Sequence, residues 1–388
     1  MFDCFFCFLY NYIKLIGGKV HKKLNFLLEV GSSKLVLVAT VKGKHASKIV
    51  DQATVLYDGF MDGEFLSPDD LELNLSELIA TMSSKLRANI HSISVGVPSE
   101  FCMCVCKRIS RKFVEPHKIT NHDIANLFEA NASFGDSNEY SVINFSPMQY
   151  MLDDSAVTMQ PVGKRTSSLV VDASFVLAKN SFIKFLTAKL NKLGVNNVDF
   201  ICQALGQAIK CAQDMEAKQP IAVVDVGHIT TSVAVLKGEG LALLSSFSMG
   251  GGHISSDIMQ LLGMNFKDAE LIKRKIILTI ESERNEYYEV KLHDSCIKAP
   301  ISMTNQIVKS RIETLAKVIG EILGIDPVFK NYDLYLTGDG IANFKGVKTI
   351  LKQQTGMDVH IYQNQFDTSK NKLQTSIQGM ITLNDMLV

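Results

Sequence analysis

Two short segments of the chain carry residue types that could bind phosphate. Residues 29–34 read EVGSSK and residues 225–231 read DVGHITT, so each segment has a carboxylate, Glu29 or Asp225, two positions before a glycine. A tight turn of glycine and hydroxyl residues directs several backbone N–H groups at one point, and this concavity favours phosphate oxygens. A carboxylate beside the turn can hold waters on a hard cation that bridges the phosphates. The two segments therefore predict a phosphate site, with Glu29 and Asp225 contacting magnesium through water.

A third glycine turn follows an apolar run near the end of the chain. Residues 334–340 read LYLTGDG, in which Gly338 and Gly340 flank Asp339. Glycine has no Cβ, so the backbone of such a turn can approach a flat ring closely. The turn could therefore let the backbone approach a flat base closely.

The elements that must position these turns are strands mixed with helices. Two hairpins are predicted, one from Leu24–Val30 and Lys34–Val41 and one from Ile221–Val226 and residues 231–236, followed by a strand at 241–247. Apolar residues recur at helical spacing in the segments 71–86, 124–132, 180–193, 255–262, 307–323 and 347–354. The polar stretch 51–70 contains two glycines and a proline and is predicted to be a loop. This mixture indicates an α/β fold.

Composition and absent motifs exclude several functions. The 388-residue chain has 40 Lys plus Arg and 40 Asp plus Glu, so it has no net positive charge to attract nucleic acid, and we expect no nucleic-acid partner. It contains no G-x-x-x-x-G-K-[ST], H-E-x-x-H or G-x-S-x-G motif. Cys102, Cys104 and Cys106 alternate along a predicted strand, where they are too collinear to enclose zinc and are expected to pack as small apolar residues.

The first 16 residues are apolar and aromatic and are too short to span a bilayer, which needs about 20 residues. Three interpretations remain open from the residues alone. The segment could lie as a helix in a membrane interface, pack against the core or a partner, or precede the true start of the domain.

Further segments carry a family resemblance. They are 94–99 (SVGVPS), 119–124 (ITNHDI), 144–150 (NFSPMQY) followed by 161–163 (PVG), 251–258 (GGHISSDI), 268–273 (DAELIK) and 376–380 (SIQGM). With the three turns in the same order, these segments resemble the bacterial cell-division protein FtsA family of the actin-like ATPase superfamily, over about residues 24–387.

The resemblance implies an α/β, actin-like (ribonuclease H-like) two-lobed fold with an inserted SHS2-type subdomain. The first lobe is expected at residues 24–96 and 171–219, joined by a C-terminal helix at 372–388. The inserted subdomain is expected at 97–170 and the second lobe at 220–363, while residues 1–23 form the separate aromatic segment.

The resemblance also implies a nucleotide site that binds ATP and magnesium. Gln203 falls where related filament ATPases orient the attacking water, and Glu270 and Lys273 fall beside the ribose and adenine. The expected cofactor-binding residues are Glu29, Gly31, Ser32, Ser33, Lys34, Asp225, Gly227, Thr230, Thr231, Gly251, Gly252, Glu270, Lys273, Gly338, Asp339 and Gly340.

The second turn departs from the family pattern. His228 and Ile229 stand where the family has glycines, and Ser232 stands where it has aspartate. A side chain at either glycine position can crowd the phosphates or restrict the turn. We therefore expect nucleotide to bind and to be hydrolysed slowly or not at all.

The function implied by the resemblance is a cytoplasmic, ATP-binding adaptor that forms protofilaments with itself, links the FtsZ ring to the inner face of the cell membrane and recruits later division proteins. The family's C-terminal membrane helix is not found before Val388, so residues 1–16 are the expected membrane contact. The alternatives are a PilM-like pilus-assembly adaptor and a small-molecule kinase of the same superfamily. A kinase needs a catalytic base near the γ-phosphate, and the sequence offers no convincing aspartate for that role.

Overall fold

A computed structural model describes residues 24–44, 46–134, 138–153, 156–218, 220–280, 286–292, 296–363 and 374–387. The aromatic segment at 1–23, and with it the expected membrane contact, lies outside these residues.

The described residues form strands and helices that alternate along most of the chain. The strands are β1 (Leu24–Val30), β2 (Lys34–Val41), β3 (Lys48–Leu56), β4 (Phe60–Met61), β5 (Glu64–Phe65), β6 (Ser92–Val97), β7 (Cys102–Lys118), β8 (Tyr140–Leu152), β9 (Ala156–Thr158), β10 (Arg165–Lys179), β11 (Asn197–Cys202), β12 (Ile221–Val226), β13 (Thr231–Lys237), β14 (Gly240–Phe247), β15 (Tyr287–Lys291), β16 (Cys296–Pro300), β17 (Asp333–Thr337) and β18 (Val359–Ile361). The helices are α1 (Pro68–Leu86), α2 (Asn121–Glu129), α3 (Asn180–Lys192), α4 (Gln203–Asp214), α5 (Gly251–Leu262), α6 (Phe266–Lys273), α7 (Ile301–Leu323), α8 (Val347–Thr355) and α9 (Thr375–Leu387).

Two five-stranded sheets have the same strand order. The first sheet is ordered β11-β6-β1-β2-β3, and the second sheet is ordered β18-β17-β12-β13-β14. In each, an antiparallel hairpin continues into two parallel strands on one side. The two hairpins predicted from the sequence are confirmed, and they occupy equivalent positions in the two sheets.

The predicted loop at 51–70 is wrong in two parts. Lys48–Leu56 forms β3, which pairs with β2 at the edge of the first sheet, and the short strands β4 and β5 pair with each other. The side chains of β3 are mostly exposed or half-buried, with only Ala53 buried. An edge strand with so little buried surface lacks the apolar alternation that predicts a strand.

A pair of helices lies between the two sheets and joins their cores. Leu205 and Ala208 of α4 and Met380 and Leu383 of α9 are buried in one cluster with residues of both sheets. The two helices approach closely at Gly206, because a Cβ there would lie 2.5 Å from the carbonyl oxygen of Gly379. The N-termini of α4 and α9 are thereby brought beside the ends of the hairpin strands.

A separate four-stranded sheet, ordered β7-β10-β8-β9, carries α2 on one face. Ile124 and Phe128 of α2 are buried against Val171 and Phe175 of the sheet. Strand β10 continues through the boundary expected at residue 170 and leads directly into α3. The limits of the inserted subdomain therefore remain a prediction at the residue level.

Candidate functional site

The three turns identified in the sequence line one cleft, of about 690 Å³, between the first and second sheets. The expected site residues that line it are Glu29, Gly31, Ser32, Ser33, Lys34, Gln203, Asp225, Gly227, Thr230, Gly251, Glu270, Lys273, Gly338, Asp339 and Gly340. Two expected residues, Thr231 and Gly252, are not among the lining residues. The Thr231 hydroxyl donates to the carbonyl oxygen of Met249, 2.5 Å away, and so ties the second hairpin to the segment before α5.

The two hairpin turns are closed by the same hydrogen bond. Gly31 N–H donates to Lys34 O at 3.0 Å, and Gly227 N–H donates to Thr230 O at 2.8 Å. Glu29 and Asp225 occupy equivalent places, one residue before the last residue of β1 and β12. Both carboxylates therefore enter the cleft at the base of a glycine turn.

Each carboxylate accepts a hydrogen bond from a side chain of the described part of the chain. Glu29 accepts a hydrogen bond from the Ser376 hydroxyl, and its Oε2 is buried with no hydrogen-bond partner among the described residues. Burial raises the pKa of Glu29 to about 7, although Ser376 and the charge of Lys34 act in the opposite direction. Burial also raises the pKa of Asp225, against a 2.6 Å hydrogen bond from Gln207 Nε2. An orphaned buried oxygen facing a cleft is suited to a cation or to its bound water.

Gln207 was missed by the sequence analysis, which named Gln203. The Gln203 amide donates to Val30 O at 3.1 Å and Gly96 O at 2.9 Å, so it fastens α4 to the backbone of the first sheet. Gln207, one helical turn later, reaches Asp225 and also donates to the Thr375 hydroxyl at 2.9 Å. Their spacing of four residues on a helix is a sequence signal that could have drawn attention to both.

The third turn is packed against the second turn. Gly340 N–H donates to Val226 O at 2.8 Å, and Gly338 has a φ of 89°. A Cβ at Gly338 would collide with the carboxylate of Asp225 and with Val226 O. Glycine is therefore required at Gly338 both by the backbone conformation and by the close approach of Asp225.

Helix α5 begins directly on the second turn. Gly251 N–H donates to Gly227 O at 2.9 Å, and Gly252 N–H donates to His228 O at 2.7 Å. The His253 ring accepts from Gly250 N–H at 3.1 Å, so His253 caps the helix start. Asp257 of the same helix accepts hydrogen bonds from Arg311 at 2.6 Å and 2.7 Å and so connects α5 to α7.

Glu270 and Lys273 form a partly buried ion pair on α6, at 2.5 Å. Lys273 also donates to Gly251 O at 2.9 Å, and Glu270 accepts from the Ser255 hydroxyl. Burial lowers the pKa of Lys273, whereas the hydrogen bonds from Lys273 and Ser255 outweigh burial and lower the pKa of Glu270. The pair therefore presents an ordered carboxylate and a fixed cation on the α6 side of the cleft.

The two residues that depart from glycine in the second turn point in different directions. The His228 ring lies against Gly252, where a Cβ would be 2.9 Å from its Nε2, and makes an edge-to-face contact with Phe266. Burial lowers the pKa of His228. Ile229 instead reaches across the cleft, with its N–H 3.2 Å from the Ser32 hydroxyl oxygen.

No helix among the described residues has both the length and the apolar content needed to cross a membrane. The described residues also contain no group of three or more His, Cys, Asp or Glu side chains arranged to hold a metal ion.

Two family models match the chain. The model described as "Cell division protein FtsA" matches residues 222–379, and the model described as "SHS2 domain inserted in FTSA" matches residues 106–177. Cell division protein FtsA of Bacillus subtilis (strain 168) is 18% identical over 315 residues, covering 78% of this chain and 70% of that protein. Cell division protein FtsA of Buchnera aphidicola subsp. Baizongia pistaciae (strain Bp) is 21% identical over 391 residues, covering 94% of this chain and 90% of that protein.

Solved structures with a similar fold cover nearly all of the chain. A chain of the PilM–PilN type IV pilus biogenesis complex superposes with a TM-score of 0.62 at 14% identity, over 95% of this chain and 100% of that one. MreB5 of Spiroplasma citri bound to ADP gives a TM-score of 0.55 at 12% identity, over 94% of this chain and 97% of that one. With the SHS2 match, these likenesses establish an actin-like α/β fold that contains an inserted subdomain.

Proposed function

We propose that this chain is an FtsA-like protein that acts in cell division as an ATP-binding adaptor, forms filaments and tethers an FtsZ polymer to the membrane. The observation that carries the nucleotide part of the proposal is the convergence of Glu29 and Asp225, at the bases of two matching glycine turns, on one cleft.

The residues of the cleft fit magnesium and an adenine nucleotide. Glu29 and Asp225 would hold the cation through water, since Glu29 keeps one buried oxygen without a partner among the described residues. Lys34 and the N–H groups of the two turns would face the phosphates, and Glu270 with Lys273 would face the nucleoside. The cation would neutralise phosphate charge, while the protein supplies position and burial. MreB5 of Spiroplasma citri, which has a similar fold, has been solved with both ADP and AMPPNP.

Titration calorimetry of the full chain with ATP, with and without magnesium, tests this part of the proposal. We expect magnesium-dependent binding that is lost in a Lys273→Ala variant and retained in a Lys298→Ala variant, whose lysine is exposed on the β15–β16 hairpin. Absence of binding in the wild-type chain at all nucleotide concentrations tested would contradict the proposal and indicate an actin-like scaffold without a ligand.

Filament formation is proposed to use the inserted sheet and the second lobe of neighbouring protomers. The inserted sheet has exposed apolar side chains, with Val114 fully exposed on β7 and Val157 about 63% exposed on β9. We expect Val114→Asp with Val157→Asp to abolish sedimentation of polymers. Leu73→Asp is the matched control, since Leu73 is 69% exposed on α1 of the first lobe. Loss of polymers in the control, with normal polymers in the double variant, would place the contact elsewhere.

The partner is proposed to be FtsZ or a functionally similar polymer. Purified FtsZ polymers should co-sediment this chain, whereas a pilus-assembly adaptor would instead recover the cytoplasmic tail of a membrane protein. Recovery of such a tail without FtsZ would favour the PilM-like alternative.

Membrane attachment is proposed to come from residues 1–16. Full burial would contribute about 1.5–3 kcal/mol for each Phe or Leu side chain, and less at a membrane interface. Several such side chains are sufficient for reversible binding when a polymer presents many copies. Liposome flotation should therefore distinguish the full chain from one that starts at Lys22. Equal flotation of the two would refute this contact.

A further inference from the structure

Contacts between protein groups connect the first and second turns across the cleft. Ile229 N–H, in the second turn, donates to the Ser32 hydroxyl of the first turn at 3.2 Å. The Ile229 side chain extends toward Gly59 of the first lobe, where a Cβ would lie 3.4 Å from Ile229 Cδ1. Gly59 has a φ of 87°, and a Cβ there would also collide with the carbonyl oxygen of Ser32, so this side of the contact is closely packed. The isoleucine that replaces glycine in the second turn is thus part of a bridge between the lobes.

A second bridge includes Glu100, which also lines the cleft. The Ser248 hydroxyl, just after β14, lies 2.7 Å from Asp62 Oδ1 and 3.0 Å from Glu100 Oε1, and it accepts from Asp62 N–H at 3.3 Å. Asp62 is in the β4–β5 turn and Glu100 is in the 3₁₀ turn that follows β6, so both carboxylates belong to the side of the first sheet. The Ser248 hydroxyl therefore connects two segments of the first lobe to the second lobe.

The first-lobe side of this second bridge is held by aromatic packing. Phe60 and Phe65 flank the Asp62 turn, and both contact Phe101, which follows Glu100, with ring centroids 5.1 Å and 5.5 Å apart. Phe182 of α3 lies 4.7 Å from Phe101 and extends the cluster. Buried rings in offset and edge-to-face contact fix the backbone that carries them. Packing within the first lobe therefore positions Asp62 and Glu100 to contact the Ser248 hydroxyl.

We infer that these contacts form a latch that holds the two lobes together without nucleotide. The latch consists of the Ile229–Ser32 bridge and the Ser248–Asp62–Glu100 bridge. A phosphate that enters the first two turns must compete with the Ser32 hydroxyl for Ile229 N–H. The latch closes the cleft whether or not the chain binds nucleotide. We infer also that it regulates access to the nucleotide site, and this second claim rests on the proposed function.

Hydrogen exchange of the full chain without nucleotide tests the latch. In the wild-type chain, the peptide covering residues 226–231 should be protected. The double variant Ser32→Ala, Ser248→Ala removes one hydroxyl from each bridge. Hydrogen exchange in this peptide should become roughly fivefold faster or more, since the loss of one such hydrogen bond changes an opening equilibrium by about that factor. Small-angle scattering should show a larger radius of gyration for the variant. The matched control is Ser245→Ala on β14, because the described residues offer no side-chain hydrogen bond to that hydroxyl.

The outcomes separate the latch from the nucleotide proposal. If wild-type residues 226–231 exchange as fast as those of the double variant, or become protected only when magnesium and ATP are added, the latch is overturned. If the double variant exchanges faster than the wild-type chain but calorimetry on the wild-type chain detects no ATP binding, the nucleotide proposal fails and the latch stands. If the Ser245→Ala control opens as far as the double variant, the two bridges are not what holds the lobes, and the inference is wrong.

Discussion

The turns of the two hairpins share a backbone conformation and differ in their side chains. Both close with a hydrogen bond from a glycine N–H to a carbonyl oxygen three residues later, at 3.0 Å in the first turn and 2.8 Å in the second. The first turn then carries Ser32, Ser33 and Lys34, which suit an anion. The second carries His228 and Ile229, one packed on α5 and the other reaching the first lobe.

The comparison distinguishes the role of the backbone in the two turns from the role of their side chains. The backbone conformation brings Glu29 and Asp225 to the same cleft, and it is determined by the glycines and the strand pairing. The side chains decide what reaches the turn from the other lobe. In the second turn, they replace an open concavity with contacts to α5 and the first lobe. The same backbone can therefore support a ligand site and an inter-lobe contact.

Removing the second carboxylate should have the largest effect on ligand binding. Asp225→Ala leaves Gln207 without its charged acceptor and removes a proposed cation contact. The loss of a hydrogen-bonded charge is about 3 kcal/mol, or roughly a hundredfold in magnesium-dependent ATP affinity, by calorimetry. Glu115→Gln, at an exposed position on β7, is the charge-removing control and should bind normally. Undiminished ATP affinity in Asp225→Ala would remove Asp225 from the proposed cation site.

A substitution at Gly338 tests why the third turn needs glycine where it packs against the second hairpin. Gly338→Ala should lower the free energy of unfolding by about 3 kcal/mol, because its positive φ is strained for alanine and its Cβ collides with Asp225. Gly356→Ala is the matched control, with a φ of 73° and no atom within 4 Å of its Cβ, and should cost about 1 kcal/mol. Denaturant melts of the two variants measure the difference. Equal losses would mean that backbone strain alone explains the requirement for glycine.

The turns at the other ends of the two hairpins extend the comparison. The β13–β14 turn carries Glu239, whose N–H donates to Pro147 O of the inserted sheet at 3.0 Å. Burial raises the pKa of Glu239 from 4.5 to about 6, and its Oε2 has no hydrogen-bond partner among the described residues. In the first lobe, the β2–β3 loop instead uses Ser47 to bind Asp385 of α9.

Glu239→Gln should therefore change stability with a defined dependence on pH. A folded-state pKa above the unfolded value means that protonation favours the folded state, so the native glutamate contributes a penalty that develops as pH rises from 4.5 through 6. The variant should be more stable by about 2 kcal/mol above pH 7 and unchanged below pH 4. Thermal melts across this range measure the effect. A constant difference at every pH would show that packing, and not charge, is responsible.

The sequence was sufficient to predict the parts of this site that depend on neighbouring residues. The hairpins were recognised because apolar strand residues flank glycine turns, and the third turn was recognised in the same way. Strand β3 was mispredicted because an edge strand buries few side chains. Helix α6, of eight residues, was missed because only two of its apolar side chains, Ala269 and Ile272, are buried.

Contacts between distant segments could not be predicted from local patterns. Gln207 reaches Asp225 only because α4 lies between the two sheets, and Ser376 reaches Glu29 from a helix nearly 350 residues later in the chain. The bridge from Ile229 to Ser32 also depends on the relative position of the lobes. The sequence indicated that Ile229 was unusual for its place but not which segment it would contact.

Restoring glycine in the second turn should have the smallest effect on affinity, and it tests the comparison most directly. The change His228→Gly with Ile229→Gly removes the ring against Gly252 and the side chain that extends toward Gly59, while the hydrogen bond from Gly227 to Thr230 can remain. We expect about a tenfold gain in ATP affinity or in the rate of hydrolysis, equivalent to about 1.4 kcal/mol. Turnover requires the cation, phosphate and water to be aligned within about 3–3.5 Å, which an open turn favours. Calorimetry and phosphate release measure the two effects. Wild-type hydrolysis as fast as that of the glycine form would show that the two side chains do not impede the reaction, and the turns would then be equivalent in function as well as in backbone.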